Sequence, residues 1–261
     1  MTVQAPADGT VGKALGILDC VAELGRPVRF SELLAKSRFP KATLYRLLQT
    51  LTNQGMLAYD EERQTYSMGL RLVRLAHCAW RMSSLAPIAG PMLDRLAAEV
   101  DETIHLAQMD SGHVVFVDKR RTSDRFETLA QAGRIAPGHC TGVGKAMLAF
   151  LSPTRLERAM QQQTFFKYTP HTHETPESLA ADLDVIREEG VAYDREEHEL
   201  GIISIAAPIL TPGERVLGAV SIASSTNRNT LESLTAFRPA LLRTADEIGA
   251  EAAAWQFPQT I

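Results

Sequence analysis

Leucines recur at three- and four-residue spacing between Pro40 and Leu51, where the sequence reads PKATLYRLLQTL. This spacing places Leu44, Leu47, Leu48 and Leu51 on one face of a helix. The opposite side carries hydrogen-bond donors and no acidic residue: Lys41, Thr43, Tyr45, Arg46, Gln49 and Thr50. Taken alone, the segment could be an ordinary amphipathic helix with a solvated polar side, so its neighbours decide the interpretation.

The flanking patterns complete a DNA-binding fold. Residues 29–36 predict a short preceding helix, which joins the leucine-rich helix through a turn at 37–40. Residues 55–59 and 65–68 alternate as two strands around a charged turn at 60–64, which predicts a β-hairpin. Upstream, residues 11–24 predict a third helix with Val11, Leu15, Leu18 and either Ala22 or Val21 on its core side. Three helices and a hairpin "wing" predict a winged helix-turn-helix domain over residues 1–68.

A winged helix-turn-helix reads duplex DNA through the outer side of its second helix, with help from the wing. We therefore expect the DNA contacts to come from seven polar residues of the turn, that helix and the wing: Arg38, Lys41, Thr43, Tyr45, Arg46, Gln49 and Arg63.

A linking helix and a larger domain follow. Residues 69–84 predict the linking helix, with Leu70, Val73, Ala76 or His77, and Trp80 on its apolar side. In residues 85–261 the patterns predict helices at 85–100 (regular from about Pro91), 144–151, 153–162, 175–189 and 230–255. Strands are predicted at 103–109, 112–118, 127–132, 191–195, 202–210 and 216–224. Strands grouped into meanders between helices indicate an α+β sheet domain.

Charge is divided unevenly between the two parts of the chain. Residues 1–81 hold 11 Lys+Arg and 7 Asp+Glu, a balance of +4, whereas residues 82–261 hold 16 and 24, a balance of −8. A basic head on an acidic body fits a protein that contacts DNA with the head only. The sequence has no apolar run of membrane-spanning length, no secretory signal pattern and only three scattered cysteines. It therefore predicts a cytoplasmic protein without a membrane or a disulfide framework.

The loop 142–145, GVGK, precedes a predicted helix and is suited to hold an anionic group such as a carboxylate. It is not a phosphate-binding P-loop, because that motif needs glycine where His139 stands and Ser or Thr where Ala146 stands. Ser204 and Ser221 lie in apolar strands and Asp194 at the end of another. Their polar groups either bond to neighbouring backbone or face a cavity, and the pattern leaves both open.

The patterns around the other candidate groups favour structural roles over catalysis or metal binding. His139 and Cys140 could be a base and a nucleophile, but adjacent residues rarely align for that role. His171 and His173 could bind a metal with His198 or Glu174, although the Pro/Thr-rich loop favours solvated side chains. Glu196, Glu197 and Glu199 read as a solvated turn that could shape a pocket mouth. We therefore predict no metal, no cofactor and no catalytic set.

The chain resembles the IclR family of bacterial transcriptional regulators over nearly its whole length. The resemblance is carried by FSELLAKSRFPKATLYRLLQTLTNQGML in the head, and by RIAPGHCTGVGKA (134–146), DREEHELG (194–201), SIAAP (204–208) and GAVSIA (218–223) in the body. It implies a GAF-like effector-binding domain, and dimers or pairs of dimers on partly palindromic operators. It also implies an effector site at the matching positions: Gly142, Val143, Asp194, Ile202, Ser204 and Ser221.

One position departs from the family pattern, because Arg38 stands in the turn where the family usually has glycine. If that turn needs a positive φ, a non-glycine residue costs about 1 kcal/mol. In the body, Ala223 replaces a second serine found in some relatives, which suggests a less polar ligand end.

The resulting expectation is a one-component regulator, a repressor rather than an activator, controlled by a small organic acid and acting as a homodimer or tetramer. The first alternative is an enzyme domain acting on a small carboxylate through His139, Asp194 and Lys145, fused to a DNA-binding head. The second is an architectural DNA-binding protein without a ligand.

Overall fold

The computed structural model describes residues 9–120 and 128–253. It divides into two compact units, Met1–Arg81 and Met82–Ile261. The division falls inside the segment predicted as a linking helix, which forms one helix, α4 (Leu70–Ser83). Within the described residues, no helix is both long and apolar enough to cross a bilayer.

The first unit is a winged helix-turn-helix, as predicted. Its elements are α1 (Gly9–Leu24), β1 (Val28–Arg29), α2 (Phe30–Lys36), α3 (Lys41–Asn53), β2 (Leu57–Asp60) and β3 (Thr65–Met68). The sheet has the antiparallel order β1-β3-β2, so the hairpin gains a third strand. The sequence did not predict β1, because two residues are too short to show an alternating pattern.

All four leucines predicted for the buried face of α3 are buried. The prediction for α1 is only partly right, because Leu18 and Val21 are buried with Ile17, while Val11 and Leu15 are 70% and 51% exposed. The two exposed side chains lie on the first turns of α1 and line an apolar groove toward α3. Helical spacing identified the apolar side of α1 but not how far along it the core extends.

The turn between α2 and α3 does not require glycine. Ser37 is extended (φ −85°, ψ 144°), and its hydroxyl accepts a hydrogen bond of 3.0 Å from the Phe39 amide. Arg38 is not among the residues with positive φ. The strain considered for a non-glycine residue therefore does not arise, and Arg38 is exposed.

The second unit is a six-stranded antiparallel sheet with helices on both faces. Its strands are β4 (Thr103–Asp110), β5 (His113–Arg120), β6 (Ile135–Pro137), β7 (Ala192–Arg195), β8 (Ile202–Leu210) and β9 (Val216–Ser225), in the order β6-β5-β4-β9-β8-β7. Its helices are α5 (Ala86–Val100), α6 (Gly142–Ala149), α7 (Pro153–Gln161), α8 (Pro176–Glu189), α9 (Leu231–Thr235) and α10 (Arg238–Ala253). The predicted α+β architecture is confirmed.

Residue size differs between the two faces of this sheet. One face carries large aliphatic side chains, such as Ile104, Ile205 and Ile222, which pack with α5 and α10. The other face carries alanines, including Ala107, Ala192, Ala206 and Ala219, which pack against α6 and α8. Small side chains let α6 approach the strands closely.

Four predictions for this unit differ from the structure. Residues 142–145, predicted as a loop before a helix at 144–151, form the first turn of α6, which begins at Gly142. Residues 128–132 are not a strand, and Glu127 lies outside the described residues. Helix α5 is regular from Ala86 and contains Pro91, so its start was placed too late. The terminal helix is divided into α9 and α10, because the ring nitrogen of Pro239 cannot donate to the carbonyl of Thr235. Its predicted end at Trp255 lies outside the described residues.

Candidate functional site

The outer side of α3 is exposed. Lys41, Tyr45, Arg46 and Gln49 are exposed, and Thr43 is half-buried. The Tyr45 ring packs edge-on against Phe30 with 6.3 Å between centroids, so α2 supports it. Arg46 lies toward α1, where it also borders the apolar groove. These side chains present donors and no acidic group on α3, which suits a phosphate or base edge.

The wing is a tight turn between β2 and β3. The Asp60 carboxylate accepts hydrogen bonds of 3.0 Å from the amides of Glu62 and Arg63, and Gln64 has a φ of 51°. The Arg63 guanidinium is exposed and lies 3.8 Å from the Asp60 carboxylate. Arg63 is therefore held at the wing tip by local contacts, with its side chain free to meet a phosphate.

In the second unit, the six residues assigned to an effector site by resemblance all line one cavity of about 40 Å³. That volume holds roughly three water molecules. Gly142 and Val143 come from the start of α6, Asp194 from the end of β7, Ile202 and Ser204 from β8, and Ser221 from β9. Residues up to 79 positions apart in sequence, from 142 to 221, thus meet at one place.

Strand register explains why these side chains meet. Asp194 is opposite Ser204, and Ser204 is opposite Ala223, so one row crosses three strands. Ser221 is opposite His105 of β4 in the neighbouring row. Alternate residues of a strand share a face, so both rows point toward α6. Both serines are over nine-tenths buried, and neither hydroxyl has a hydrogen-bond partner among the described residues.

The N-terminus of α6 is fixed by Thr141. Its hydroxyl oxygen accepts a bond of 3.2 Å from the Gly144 amide and donates one of 2.8 Å to the Pro137 carbonyl. The Gly142 and Val143 amides lie in the first turn of α6, so no carbonyl group of the helix accepts a hydrogen bond from them. A Cβ atom on Gly142 would lie 2.7 Å from the Ser204 hydroxyl, and one on Gly144 would lie 2.4 Å from the Gly138 carbonyl oxygen. Glycine is therefore needed at both positions, because a side chain would clash with these atoms.

Among the described residues, eight that the sequence did not assign to the cavity also line it: His105, Phe116, Thr128, Ala130, Thr141, His198, Glu199 and Ala223. The sequence had linked only two of them to a ligand pocket. Ala223 was noted as replacing a serine, and Glu199 was noted as a residue that could shape a pocket mouth. His105 looked like an ordinary residue of an apolar strand, and only its pairing with Ser221 brings it to the site.

Burial controls the charges around the cavity. Burial, helped by the charge of Lys119, lowers the pKa of His105 to about 3, so this ring is neutral. Burial also lowers the pKa of His198, with a further contribution from His139. Burial and the charge of Glu197 raise the pKa of Asp194 to about 7, although the Glu197 amide donates to it at 2.8 Å.

Behind the cavity, the fully buried Lys145 ammonium bonds to Asp182 at 2.7 Å and to Glu197 at 2.5 Å. Burial alone would raise the pKa of Asp182, but hydrogen bonds from His173 and Lys145 hold it well below its usual range. The ligand atoms of His173, Asp182 and Glu197 lie within 4.8 Å of one another, a spacing that a metal could use. Here the Lys145 ammonium already supplies a positive charge to both carboxylates. Glu197 is thus buried, not part of a solvated turn as predicted.

Two other candidate groups do not form reactive sites. Burial raises the pKa of the Cys140 thiol far above neutrality, so it is not a thiolate nucleophile. The His139 ring approaches the Phe166 carbonyl at 3.3 Å, and burial lowers its pKa. In the 163–175 loop, His173 lies near Asp182 and Glu197. The predicted group of His171 and His173 with His198 or Glu174 is not among the clusters of described residues that could hold a metal.

A winged helix-turn-helix joined in one chain to an α+β unit with a small polar-lined cavity is the architecture of a class of DNA-binding transcriptional regulators. Family profiles agree for both units, as "IclR helix-turn-helix domain" matches residues 10–61 and "Bacterial transcriptional regulator IclR C-terminal" matches residues 79–250. The chain belongs to the IclR family of bacterial transcriptional regulators.

Individual relatives extend over almost the whole chain. It is 30% identical to the HTH-type transcriptional regulator KdgR of Dickeya chrysanthemi over 94% of this chain and 82% of that protein. It is also 30% identical to the transcriptional repressor IclR of Escherichia coli over 94% of this chain and 91% of that one. The crystal structure of the Thermotoga maritima IclR has a TM-score of 0.75 at 26% identity, covering 94% of this chain and 98% of that chain. Both the Dickeya chrysanthemi and the Escherichia coli relatives are named as regulators of transcription.

Proposed function

We propose that this protein is a one-component repressor that binds a partly palindromic operator as a homodimer or tetramer, and that a small organic acid controls its affinity. The observation that carries the proposal is the shared cavity of Gly142, Val143, Asp194, Ile202, Ser204 and Ser221. The name of the Escherichia coli relative, a transcriptional repressor, supports repression over activation.

The cavity chemistry suits the carboxylate end of an acid. The Gly142 and Val143 amides lie at the positive end of the α6 dipole, where an anion is stabilised. The Ser204 and Ser221 hydroxyls are buried and can donate to the same group. Ile202, Ala223 and Phe116 line other parts of the cavity and favour a short apolar portion in the ligand.

Operator control requires that the acid bind two states of the protein with different affinity. By linkage, operator DNA and acid then change each other's affinity by the same factor. A repressor released by its effector would therefore bind the acid more weakly when operator DNA is present.

The DNA part of the proposal is tested on α3. We expect Arg46→Ala to weaken specific operator binding by roughly 1–3 kcal/mol, because a guanidinium on a recognition helix can bond to a base or a phosphate. Thr43→Ala should weaken it less, since Thr43 is half-buried. A gel-shift titration measures both, and Arg155→Ala in the second unit is the control. Operator binding by both α3 variants equal to that of the parent would contradict the proposed face.

The acid part is tested at Gly142. A valine there would place its Cβ against the Ser204 hydroxyl and block approach to the amides. We expect Gly142→Val to lose acid binding by calorimetry and acid response in the gel shift, while keeping operator binding without acid. Thermal melting of the second unit checks that the variant is folded. A folded variant that binds the acid as the parent does would place the sensor site elsewhere.

A further inference from the structure

In the part of the chain that the structure describes, the charges that line the cavity have the wrong sign for an anionic ligand. Among the described residues that line it, the ionisable groups are Asp194, Glu199, His105 and His198, and none is Lys or Arg. Both histidines are neutral near pH 7, because burial lowers their pKa values. From these described residues, an acid anion that enters therefore meets two carboxyl groups and no Lys or Arg side chain.

The nearby lysines do not supply the missing positive charge at the cavity wall. Lys145 is buried between Asp182 and Glu197, each within 2.7 Å of its ammonium. Lys119 donates to the Thr128 hydroxyl at 3.0 Å and to the Ala130 carbonyl at 2.9 Å. Both ammonium groups are already held by protein oxygens.

Asp194 lies directly beside the place where a carboxylate would bind. A Cβ atom on Gly142 would be 3.6 Å from the Cβ atom of Asp194 and 2.7 Å from the Ser204 hydroxyl. One Asp194 oxygen accepts from the Glu197 amide at 2.8 Å, and among the described residues no hydrogen bond reaches the other oxygen. An anion held by the Gly142 amide would repel an ionised Asp194 strongly in this buried setting.

We propose that the cavity takes up an acid anion together with one proton, which Asp194 carries as a neutral carboxyl group. This inference rests on the proposed function of the cavity as an acid sensor. Where Asp194 is ionised in the free protein, each site takes up one ligand anion and one proton from solvent; where Asp194 is already protonated, the site takes up the anion alone. The protonated oxygen of Asp194 donates to the ligand carboxylate, and such an O–H···O⁻ bond is short and strong.

The surroundings of Asp194 make this proton available near neutral pH. Burial and the charge of Glu197 raise its pKa to about 7, and Glu199 adds to the rise. The Glu197 amide and the charge of Lys145, from α6, act in the opposite direction. Of the other described groups that line or border the cavity, the Cys140 thiol stays protonated and the His105 and His198 rings are neutral. Asp182 on α8 is bound to Lys145.

The proposal fixes the direction of the pH dependence. Below about pH 7 Asp194 is already neutral in the free protein, so affinity for an ionised acid should be nearly constant. Above that pH each binding event must capture a proton, and affinity should fall by about tenfold per pH unit. A sensor of this kind responds to an acid more readily when the surroundings are acidic.

Calorimetry on the full-length protein tests the proposal. The probes are acetate, propionate, lactate, succinate and benzoate, and the one that binds most tightly is titrated at about pH 6 and about pH 8. Each titration is repeated in phosphate and in Tris, whose ionisation heats differ, so that the heats give the number of protons taken up. We expect close to no proton at the lower pH, approaching one at the higher pH, and a loss of about tenfold in affinity between them.

Two variants identify the group that carries the proton. Asp194→Asn keeps an oxygen acceptor for the Glu197 amide and is neutral at every pH. It should bind the probe without proton uptake and without pH dependence. Glu199→Gln, in the same cavity wall, should keep the proton uptake, with its pH dependence shifted slightly to lower pH because Glu199 adds to the rise of the Asp194 pKa. A proton uptake that persists in folded Asp194→Asn, or disappears in Glu199→Gln, would overturn the assignment.

The parent protein alone also decides the question. Acid binding without proton uptake at the higher pH overturns the proton coupling and leaves the acid sensor intact. Absence of binding by every probe at both pH values overturns the acid sensor, and the coupling with it.

Discussion

At the residue scale, Lys145 differs from the surface lysines because its side chain is fully buried. Lys145→Met would keep most of the side-chain volume but leave Asp182 and Glu197 without the ammonium that bonds to both. We expect the free energy of unfolding to fall by about 3–5 kcal/mol, because an uncompensated buried charge is costly. Chemical denaturation of the second unit measures the loss.

The matched control is Lys167→Met, which removes an ion pair with Glu174 whose side chains are about half exposed. Solvent screens such a pair, so we expect a loss of less than about 1 kcal/mol. Equal losses in the two variants would mean that the buried network contributes no more than a surface pair.

The raised pKa of Asp194 leads to a second prediction, which concerns the stability of the protein as a function of pH. The pKa of Asp194 in the folded protein, about 7, lies above its ordinary value, so the folded state holds the proton more tightly than the unfolded chain. The contribution to stability is therefore complete below about pH 4, declines as pH rises, and is gone above about pH 7. We expect the stability of Asp194→Asn relative to the parent to rise over this range, so its advantage near pH 8 should exceed that near pH 5. Denaturation midpoints at the two pH values test this, and an advantage no larger near pH 8 than near pH 5 would contradict it.

At the scale of the element, the cap of α6 should matter for ligand binding as well as stability. The Thr141 hydroxyl accepts from the Gly144 amide at 3.2 Å, and removing an N-cap acceptor costs about 0.5–2 kcal/mol. Because the same cap directs the Gly142 and Val143 amides, we expect Thr141→Ala also to weaken acid binding. Calorimetry and thermal melting measure the two effects.

Helix α8 offers the control for this prediction. The Thr175 hydroxyl accepts from the Ser178 amide at the same distance, 3.2 Å, and Thr175 does not line the cavity. Thr175→Ala should therefore lower stability by a similar amount and leave acid affinity unchanged. A similar loss of acid affinity in both variants would show that general loosening, not amide orientation, is responsible.

At the scale of the whole molecule, we expect assembly through α4. A single head offers few base contacts, and two recognition helices about one turn of DNA apart are needed for tight binding. Helix α4 exposes Leu70, Val73 and Trp80 by 86%, 52% and 42%, which is unusual for apolar side chains without a partner surface. We therefore expect light scattering to give at least a dimer of the 28.6 kDa chain.

The matched test changes the charge on that helix. Val73→Glu with Trp80→Glu should shift the protein toward monomer and weaken operator binding. Val185→Glu, at a similarly exposed apolar position in the second unit, should leave assembly unchanged. A parent protein that is monomeric at micromolar concentration would contradict an assembly through α4.

The sequence by itself determined what depends on local periodicity and local chemistry. The leucine spacing of α3, the strand β8 and the ends of α8 at Thr175 and Gly190 follow from rules that act over a few residues. A local rule singled out residues 142–145 as suited to an anion, whereas the assignment of the six cavity residues as one site came from the family resemblance. Spacing alone left Ser204 and Ser221 undecided, because satisfied and cavity-facing hydroxyls produce the same pattern.

The tertiary structure decided the features that depend on pairing between distant segments. Strand register brought His105 beside Ser221, and close packing around α6 buried Lys145 with Asp182 and Glu197. It also left Val11 and Leu15 outside the core that their helical spacing predicted for them. Burial and electrostatic coupling arise only after the chain has folded, so no local pattern could predict that Asp194 holds its proton near pH 7.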